Sequence, residues 1–518
     1  MTHRRGAILL LVLVVVSLLS LVAMTFAELM CSEYLATRLH GRQVQARVAT
    51  DSGIDMLLAF LAQDEELIKD QGGIYDNPAA FQQGKVYAAN WLDDDDRRRR
   101  CNFSIVAPTV QEDGMIGGAR FGLEDESARV NLNTLLVADA AEEGGGRRIL
   151  MALPGMSESP DIADAILDWI DPDDETREFG AEIDYYSGLN PPYAPKNGPL
   201  ETIEELLLVK GVTPELLLGA DWNLNHSLEL NEQEFSATVG GVDNSDGALN
   251  HGWAAYLTLY SAERNLRPDG TAKIDVNGDD LEKLHADLEE ALGAEMATFI
   301  VAYRQAGPYN GSQRGERIGS RKLDLKRPGS VKLQTVLDLV GPNVRPSFPG
   351  DDGRQERVVL KTPFPDNPIA MRFFLPLLMD HLSVNPQPTI PGRININQAP
   401  RTVLLGIPGL EPETVDEIIS TRDFEVTDER PERRHETWLL SEGIVDLDQM
   451  KELMPFVTGG GRVYRAQIVG YFDKGGPSFR IETVIDATSD VPRVLFWRDI
   501  SHLGRGYPLS WLGVSSDE

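Results

Sequence analysis

Residues 7–27 restrict this chain more than any other stretch. Ala7 to Ala27 is 21 residues without a charge, polar only at Ser17, Ser20 and Thr25. As a helix rising about 1.5 Å per residue, the run covers a hydrocarbon core of about 30 Å and can span a membrane. Arg4 and Arg5 precede it, and no acid offsets them. The positive-inside bias places that end in the cytoplasm and everything after Glu28 on the far side.

A secretory signal peptide has a shorter apolar core, roughly 7–15 residues, and a small-x-small cleavage site. Ala27-Glu28-Leu29-Met30-Cys31-Ser32 supplies no such site. A plain uncleaved anchor is one reading left. The other rests on Gly6, between the basic pair and the apolar run, which resembles the leader of a type IV pilin-like protein. Prepilin peptidase would cut between Gly6 and Ala7 and leave the segment through Leu11 to Ala27 on the mature chain. Ordinary pilins carry Phe after the cut and Glu at the fifth mature position; Leu11 stands at that fifth position here.

The segment beyond the span continues as helix to about residue 62. Val44, Val48, Ile54, Leu57, Leu58 and Leu61 recur at helical spacing and form one apolar face, while Tyr34 to Val48 is polar on most sides, as a stalk would be. Gly72-Gly73 and Asn77-Pro78 end it. Strand-like runs follow at 84–92, 102–107 and 119–123. The run Asp93 to Arg100, four acids and then four bases, reads as a solvated hairpin tip. Near the C-terminus, 465–472 and 479–486 alternate apolar with polar residues across the hairpin signal Asp473-Lys474-Gly475-Gly476-Pro477, and 494–498 adds a third strand. These strands are expected to complete the sheet begun near Gly84, packed on the long helix.

The middle of the chain repeats itself. Val130-Asn131-Leu132-Asn133, Ile274-Asp275-Val276-Asn277 and Ile394-Asn395-Ile396-Asn397 each open an apolar, helix-forming segment, with Pro154-Gly155 and Pro408-Gly409 as turns in the first and third. A shorter helix ending near glycine follows each unit, at 203–211, 333–341 and 438–443. Such self-similarity means helical modules packed side by side. Helix-hairpin-helix DNA binders use a similar turn, and a membrane-anchored, competence-type DNA-binding protein is the alternative function. In those modules, however, basic residues flank the turn. Here Glu158, Glu411 and Glu413 lie nearby, and the 518-residue chain carries 49 basic against 81 acidic side chains, a net charge of −32. That charge repels phosphate, so no nucleic-acid partner is expected.

The densest chemistry lies between Asp168 and Asp184. Asp168, Asp171, Asp173, Asp174, Glu175, Glu178, Glu182 and Asp184 crowd a loop shaped by Pro172 and Gly180. Hard oxygen donors on an irregular loop suit calcium, which takes six to eight oxygens at about 2.3–2.6 Å, and without a cation they repel one another. Asp171, Asp173, Glu175 and Glu182 partly mimic EF-hand spacing, but Thr176 replaces the glycine that such a loop needs at its sixth position. A non-EF calcium site is therefore expected, with Asp168, Asp171, Asp173, Asp174, Glu175, Glu182 and Asp184 as candidate ligands. Asp275 to Asp279 is read as a helix N-terminus.

No nucleophile elbow, phosphate loop, zinc-protease motif or Cys–His pairing is present, so neither catalysis nor a small-molecule substrate is expected. The eight histidines are scattered and read as surface or capping residues. Cys31 and Cys101 imply neither a disulfide framework nor a zinc site.

Taken together, Arg4-Arg5-Gly6 without the acidic fifth residue, Asn131-Leu132-Asn133-Thr134, Asp168-Trp169-Ile170-Asp171 with Gly180-Ala181-Glu182, Tyr185-Tyr186, Pro192-Tyr193, Glu205-Leu206 to Val209-Lys210-Gly211, and Asn395-Ile396-Asn397 with Ala399-Pro400 resemble the type II secretion minor pseudopilin K family. The resemblance covers 1–220 and about 390–500; 221–390 matches less and reads as an expansion. It implies a calcium-binding, non-enzymatic protein in the inner membrane, with its bulk in the periplasm. Such proteins cap a pseudopilus together with minor pseudopilins I and J. The implied fold is α+β: a long transmembrane and stalk helix on a pilin-like antiparallel sheet, with a large inserted helical domain of repeated helix-hairpin units. The corresponding segments are a leader (1–6), the transmembrane and stalk helix (7–63), the first part of the sheet (64–129), the inserted helical domain with the acidic loop (130–220), a second repeat and insertion (221–390), a third repeat (391–460) and closing strands (461–518).

Overall fold

A computed structural model describes residues 3–86, 101–233, 249–319, 321–349, 355–427 and 429–514. It opens with one unbroken helix, α1, His3–Leu61. Two environments divide this helix. From Ile8 to Leu39 its large apolar side chains face outward, with Leu11 64% exposed. It is the one helix among the described residues long and apolar enough to cross a membrane. From Ala46 onward one face is buried, through Ala46, Ala49, Thr50, Leu57, Phe60 and Leu61, whereas Val44 and Val48, expected on that apolar face, are 47% and 50% exposed because the helix turns them away from the sheet.

That second half lies on an antiparallel sheet. Its strands are β1 (Gly84–Val86), β2 (Cys101–Val110), β3 (Ile116–Phe121), β4 (Glu124–Asp125), β5 (Val463–Phe472), β6 (Phe479–Asp486) and β7 (Arg493–Asp499). The path runs β1-β2-β5-β6-β7, with β3 on β2 and β4 on β5. Strands from both ends of the chain thus share one sheet, as the alternating runs predict. Ile105, Phe103, Ile468, Val469, Phe472 and Ile481 close a core against α1. Contact is tight at Gly470, where a Cβ would stand 2.2 Å from the Ala46 carbonyl oxygen. The acid-and-base run 93–100 lies outside the described residues.

Residues 126–462 leave and return between neighbouring strands: Asp125 pairs with Tyr464 and Glu124 with Arg465. A buried polar knot fixes this crossing. Asp125 accepts from the backbone N–H of Ser127 (2.8 Å) and Gly461 (2.6 Å) and from Asn395 Nδ2 (2.8 Å). Burial outweighs these bonds and lifts its pKa to about 6. Arg465 bonds Glu126 and reaches Glu482 at 2.8 Å.

The looped-out body has its own, larger core, built on Leu150, Ile166, Trp169, Trp253, Phe299, Leu337, Phe364, Leu404 and Trp438. Three two-residue parallel pairs run through it: Val130–Asn131 with Leu257–Thr258, Ile274–Asp275 with Leu382–Ser383, and Ile394–Asn395 with Val457–Thr458. In each, the first polar side chain accepts the N–H two residues on: Asn131 from Asn133, Asp275 from Asn277, and Asn395 from Asn397. This local bond turns the chain out of extended geometry and into the helices that follow. The helix after the second pair is capped by Asp280, beyond the 275–279 stretch.

Candidate functional site

The acidic loop is positioned by the helix Pro160–Ile170. Pro160 at its first turn presets the helical φ. Ile162, Ala163, Ile166, Leu167, Trp169 and Ile170 bury it in the body core, and Trp169 meets Tyr186 edge-on at 5.2 Å. Two acids share this buried helix one turn apart, Asp164 and Asp168, both without solvent exposure.

Each acid is satisfied in a different way. Asp164 takes a two-pronged bond from Arg147, at 2.6 and 2.5 Å. Asp168 accepts the backbone N–H of Ala181 at 2.8 Å and Arg177 Nη1 at 2.9 Å. The same Arg177 nitrogen bonds Asp171. Gly180 is required by this fold-back, since a Cβ there would lie 1.9 Å from Asp168 Oδ2. Lys210 Nζ ties the loop down through the carbonyls of Phe179 (3.2 Å) and Gly180 (3.1 Å).

Of the seven carboxylates expected as ligands, Asp168, Asp171 and Glu182 come together, with oxygens within 4.8 Å of one another. Asp173, Asp174, Glu175 and Asp184 stay outside this group and are exposed. Asp173 accepts the Glu175 N–H at 2.9 Å, and Asp174 accepts Asn197 Nδ2 at 2.8 Å, so these two shape the loop. Arg177, absent from the sequence-derived set, supplies a positive charge inside the cluster. It is the one basic residue between Asp168 and Asp184, and that isolation in an acidic run is the signal that could have singled it out.

One guanidinium does not satisfy three carboxylates. Both oxygens of Glu182 and Oδ1 of Asp171 are buried without a hydrogen-bond partner. Burial, and then the charges of Asp168 and Asp171, push the Glu182 pKa up to about 7. Oxygen-only donors with three orphaned atoms fit a hard divalent cation. Side chains on elements well separated in sequence complete the surroundings: Glu205 accepts Trp169 Nε1 at 3.4 Å and pairs with Lys196 at 3.0 Å.

A second cluster went unread in the sequence. His226 and His251, expected at the surface or as caps, are largely buried and stack at 5.6 Å beside Asp221. The two histidines are 25 positions apart in sequence, and no spacing rule joins them.

The fold and site define a helix-led α+β protein whose looped-out helical body carries a buried carboxylate cluster. Residues 128–219, the segment that holds this cluster, match the family model described as Type II secretion system (T2SS), protein K. That segment is thus similar to type II secretion system protein K, and the family resemblance drawn from the motifs is borne out over it. No curated protein sequence matches the chain. A chain from the crystal structure of the GspK-GspI-GspJ complex of the enterotoxigenic Escherichia coli type 2 secretion system is similar at 12% identity. The similarity covers 89% of this chain and 98% of that one, with a TM-score of 0.31.

Proposed function

We propose that this chain is a non-enzymatic minor pseudopilin that starts or caps the type II secretion pseudopilus, for protein export across the outer membrane. The observation that carries the reading is the protein K match over 128–219 in a chain led by one exposed apolar helix. In this reading prepilin peptidase cuts between Gly6 and Ala7. The mature chain crosses the inner membrane once, its N-terminus on the cytoplasmic side and its bulk in the periplasm. Minor pseudopilins I and J are its neighbours.

Leu11 supports an end position. A repeating pilin buries a carboxylate in lipid at that point and needs a charged partner there. A subunit with leucine needs no such neighbour above it. The helical body is read as three copies of one helix-hairpin unit, each opened by a parallel pair and an asparagine.

Calcium is the cation proposed for the acidic loop, held by Asp168, Asp171 and Glu182. It would neutralise carboxylates that otherwise repel each other and would lock the loop onto the Pro160–Ile170 helix. Its role is structural and belongs to no reaction step.

Co-purification from cells tests the function. Full-length chain should bring down minor pseudopilins I and J, and N-terminal sequencing should begin at Ala7. Recovery without either partner, beginning at Met1 or Thr2, would sink the reading. Specific retention of DNA at low salt would instead favour the helix-hairpin-helix alternative.

A further inference from the structure

We propose that Asp221, His226 and His251 form a binding site for one zinc-class divalent cation, on the wall of the cavity between the helical body and the sheet. One carboxylate and two imidazoles make the mixed oxygen and nitrogen donor set that such ions prefer, unlike the all-oxygen cluster of the acidic loop.

Geometry carries the assignment. The three ligand atoms lie within 4.8 Å of one another, and Asp221 Oδ2 stands 3.6 Å from His226 Nδ1. A tetrahedral ion with bonds of about 2.0–2.2 Å asks for an inward shift of about an ångström. His226 Nδ1 and His251 Nε2 are both buried with no hydrogen-bond partner. His251 is 6% exposed. Two orphaned ring nitrogens beside one carboxylate leave polar groups unpaired unless something binds them.

The frame around them is built. Asp221 accepts the backbone N–H of Asn225 at 3.0 Å and of His226 at 2.9 Å, which aims its carboxylate inward. The loop is bolted to the sheet by Gln467 Nε2 on the Leu224 carbonyl (2.9 Å) and Arg480 on the Asn223 carbonyl (2.7 Å). His251 is brought alongside by Gly219 and Gly252, which pack so closely that a Cβ on either would lie 2.2 or 2.3 Å from the other's backbone nitrogen. A hydrogen bond to the Leu249 backbone orients the His251 ring, as outer-shell carbonyls do for metal-bound histidines. Burial also keeps both rings below the ordinary histidine range, in the neutral form that ligates.

The nearest cations do not occupy the position. Arg129 is held by Glu124 in a two-pronged bond at 2.9 and 2.6 Å, and Arg480 by Gln467 and the loop carbonyls. The three ligands line a cavity of about 500 Å³ with Leu217, Tyr260 and Phe496. A fourth coordination position would face that space, open to water or a small anionic group.

Full-length protein in detergent, stripped with a strong chelator, tests the site with cobalt(II) and zinc alone. The expected result is one cobalt with the intense visible bands of four-coordination, displaced by one equivalent of zinc. X-ray absorption at the zinc edge should show two imidazoles and an oxygen-completed shell. His251→Ala should weaken binding more than about tenfold, whereas Glu182→Gln in the acidic loop should leave it unchanged. An all-oxygen or sulfur-containing shell, or tight cobalt binding that survives the folded His226→Gln/His251→Gln variant, would overturn the proposal. The absorption measurement uses unaltered protein and stands even where a variant fails to fold. Partner recovery is read separately, so the loss of either result leaves the other interpretable.

Discussion

Asn133 and Leu200 exchange two hydrogen bonds: the asparagine Nδ2 donates to the Leu200 carbonyl at 3.1 Å, and its Oδ1 accepts the Leu200 N–H at 2.7 Å. Asn277 and Leu333 do the same, at 2.9 Å in both directions. In each case the side-chain amide stands in for a strand partner and pins a distant segment just ahead of a 3-10 helix, Ile203–Leu208 or Val336–Leu339. Asn397 serves a related purpose through the carbonyls of Arg433 and Gly459, both at 2.8 Å.

Replacing either two-way asparagine leaves a backbone N–H and a carbonyl without their partner. Asn133→Ala and Asn277→Ala should each lower stability by about 1–3 kcal/mol, read as a reduced urea midpoint. Because the two sites share no partners, the double variant should show the sum of the two losses.

Glu182 makes the acidic loop pH-sensitive. Its folded pKa, about 7, is above its ordinary value of 4.5. The folded state therefore holds a proton that the unfolded chain has lost between those values, and stability without cation falls as pH rises through that window. The calcium proposed for this loop would need the ionised form, so its affinity should rise with pH up to about 7 and level off above it. Thermal melts in chelator and in calcium from pH 5 to 8 would show both trends. Glu182→Gln should remove the chelator slope and the calcium-dependent rise together.

Glu482 works in the opposite sense. Burial alone would raise its pKa, but Arg465 and Arg498, at 2.8 and 2.6 Å, hold it down to about 2. Its contribution is complete above its ordinary value of 4.5 and is lost as pH falls from there toward 2. Glu482→Gln should lower stability at neutral pH and flatten the acid-unfolding curve across that range.

Gly470 tests the docking of α1. A Cβ there meets the Ala46 carbonyl oxygen, so Gly470→Ala should lift the helix from β5 and cost roughly 1–3 kcal/mol. Gly460, where a Cβ meets nothing within 4 Å, is the control, and its alanine variant should stay within about 0.5 kcal/mol of the parent.

The elements legible in the sequence were those with a sustained period. The first part of α1 declares itself through an unbroken apolar run, and the strands β5 and β6 through their alternation, while helical spacing misplaced Val44 and Val48 on the buried face. The parallel pairs are two residues long and carry no period, so only their asparagines mark them. Within the acidic loop, composition predicts a crowd of carboxylates but not which ones turn inward. That choice is made by Gly180 folding back onto Asp168 and by Arg177 entering the cluster. The Asp221–His226–His251 cluster was invisible for a different reason. Two facing glycines, Gly219 and Gly252, create it by contact across a stretch of chain, and no linear motif encodes such an approach.

Helix α1 has no proline between its greasy outer half and the half clasped by the sheet, and at about 1.5 Å per residue it is roughly 90 Å long. Such a shaft has no joint at which to lose a displacement. A push along its axis arrives at Gly470 and the strands behind it as the same push. Whatever lifts the foot of this molecule therefore lifts its head by an equal distance.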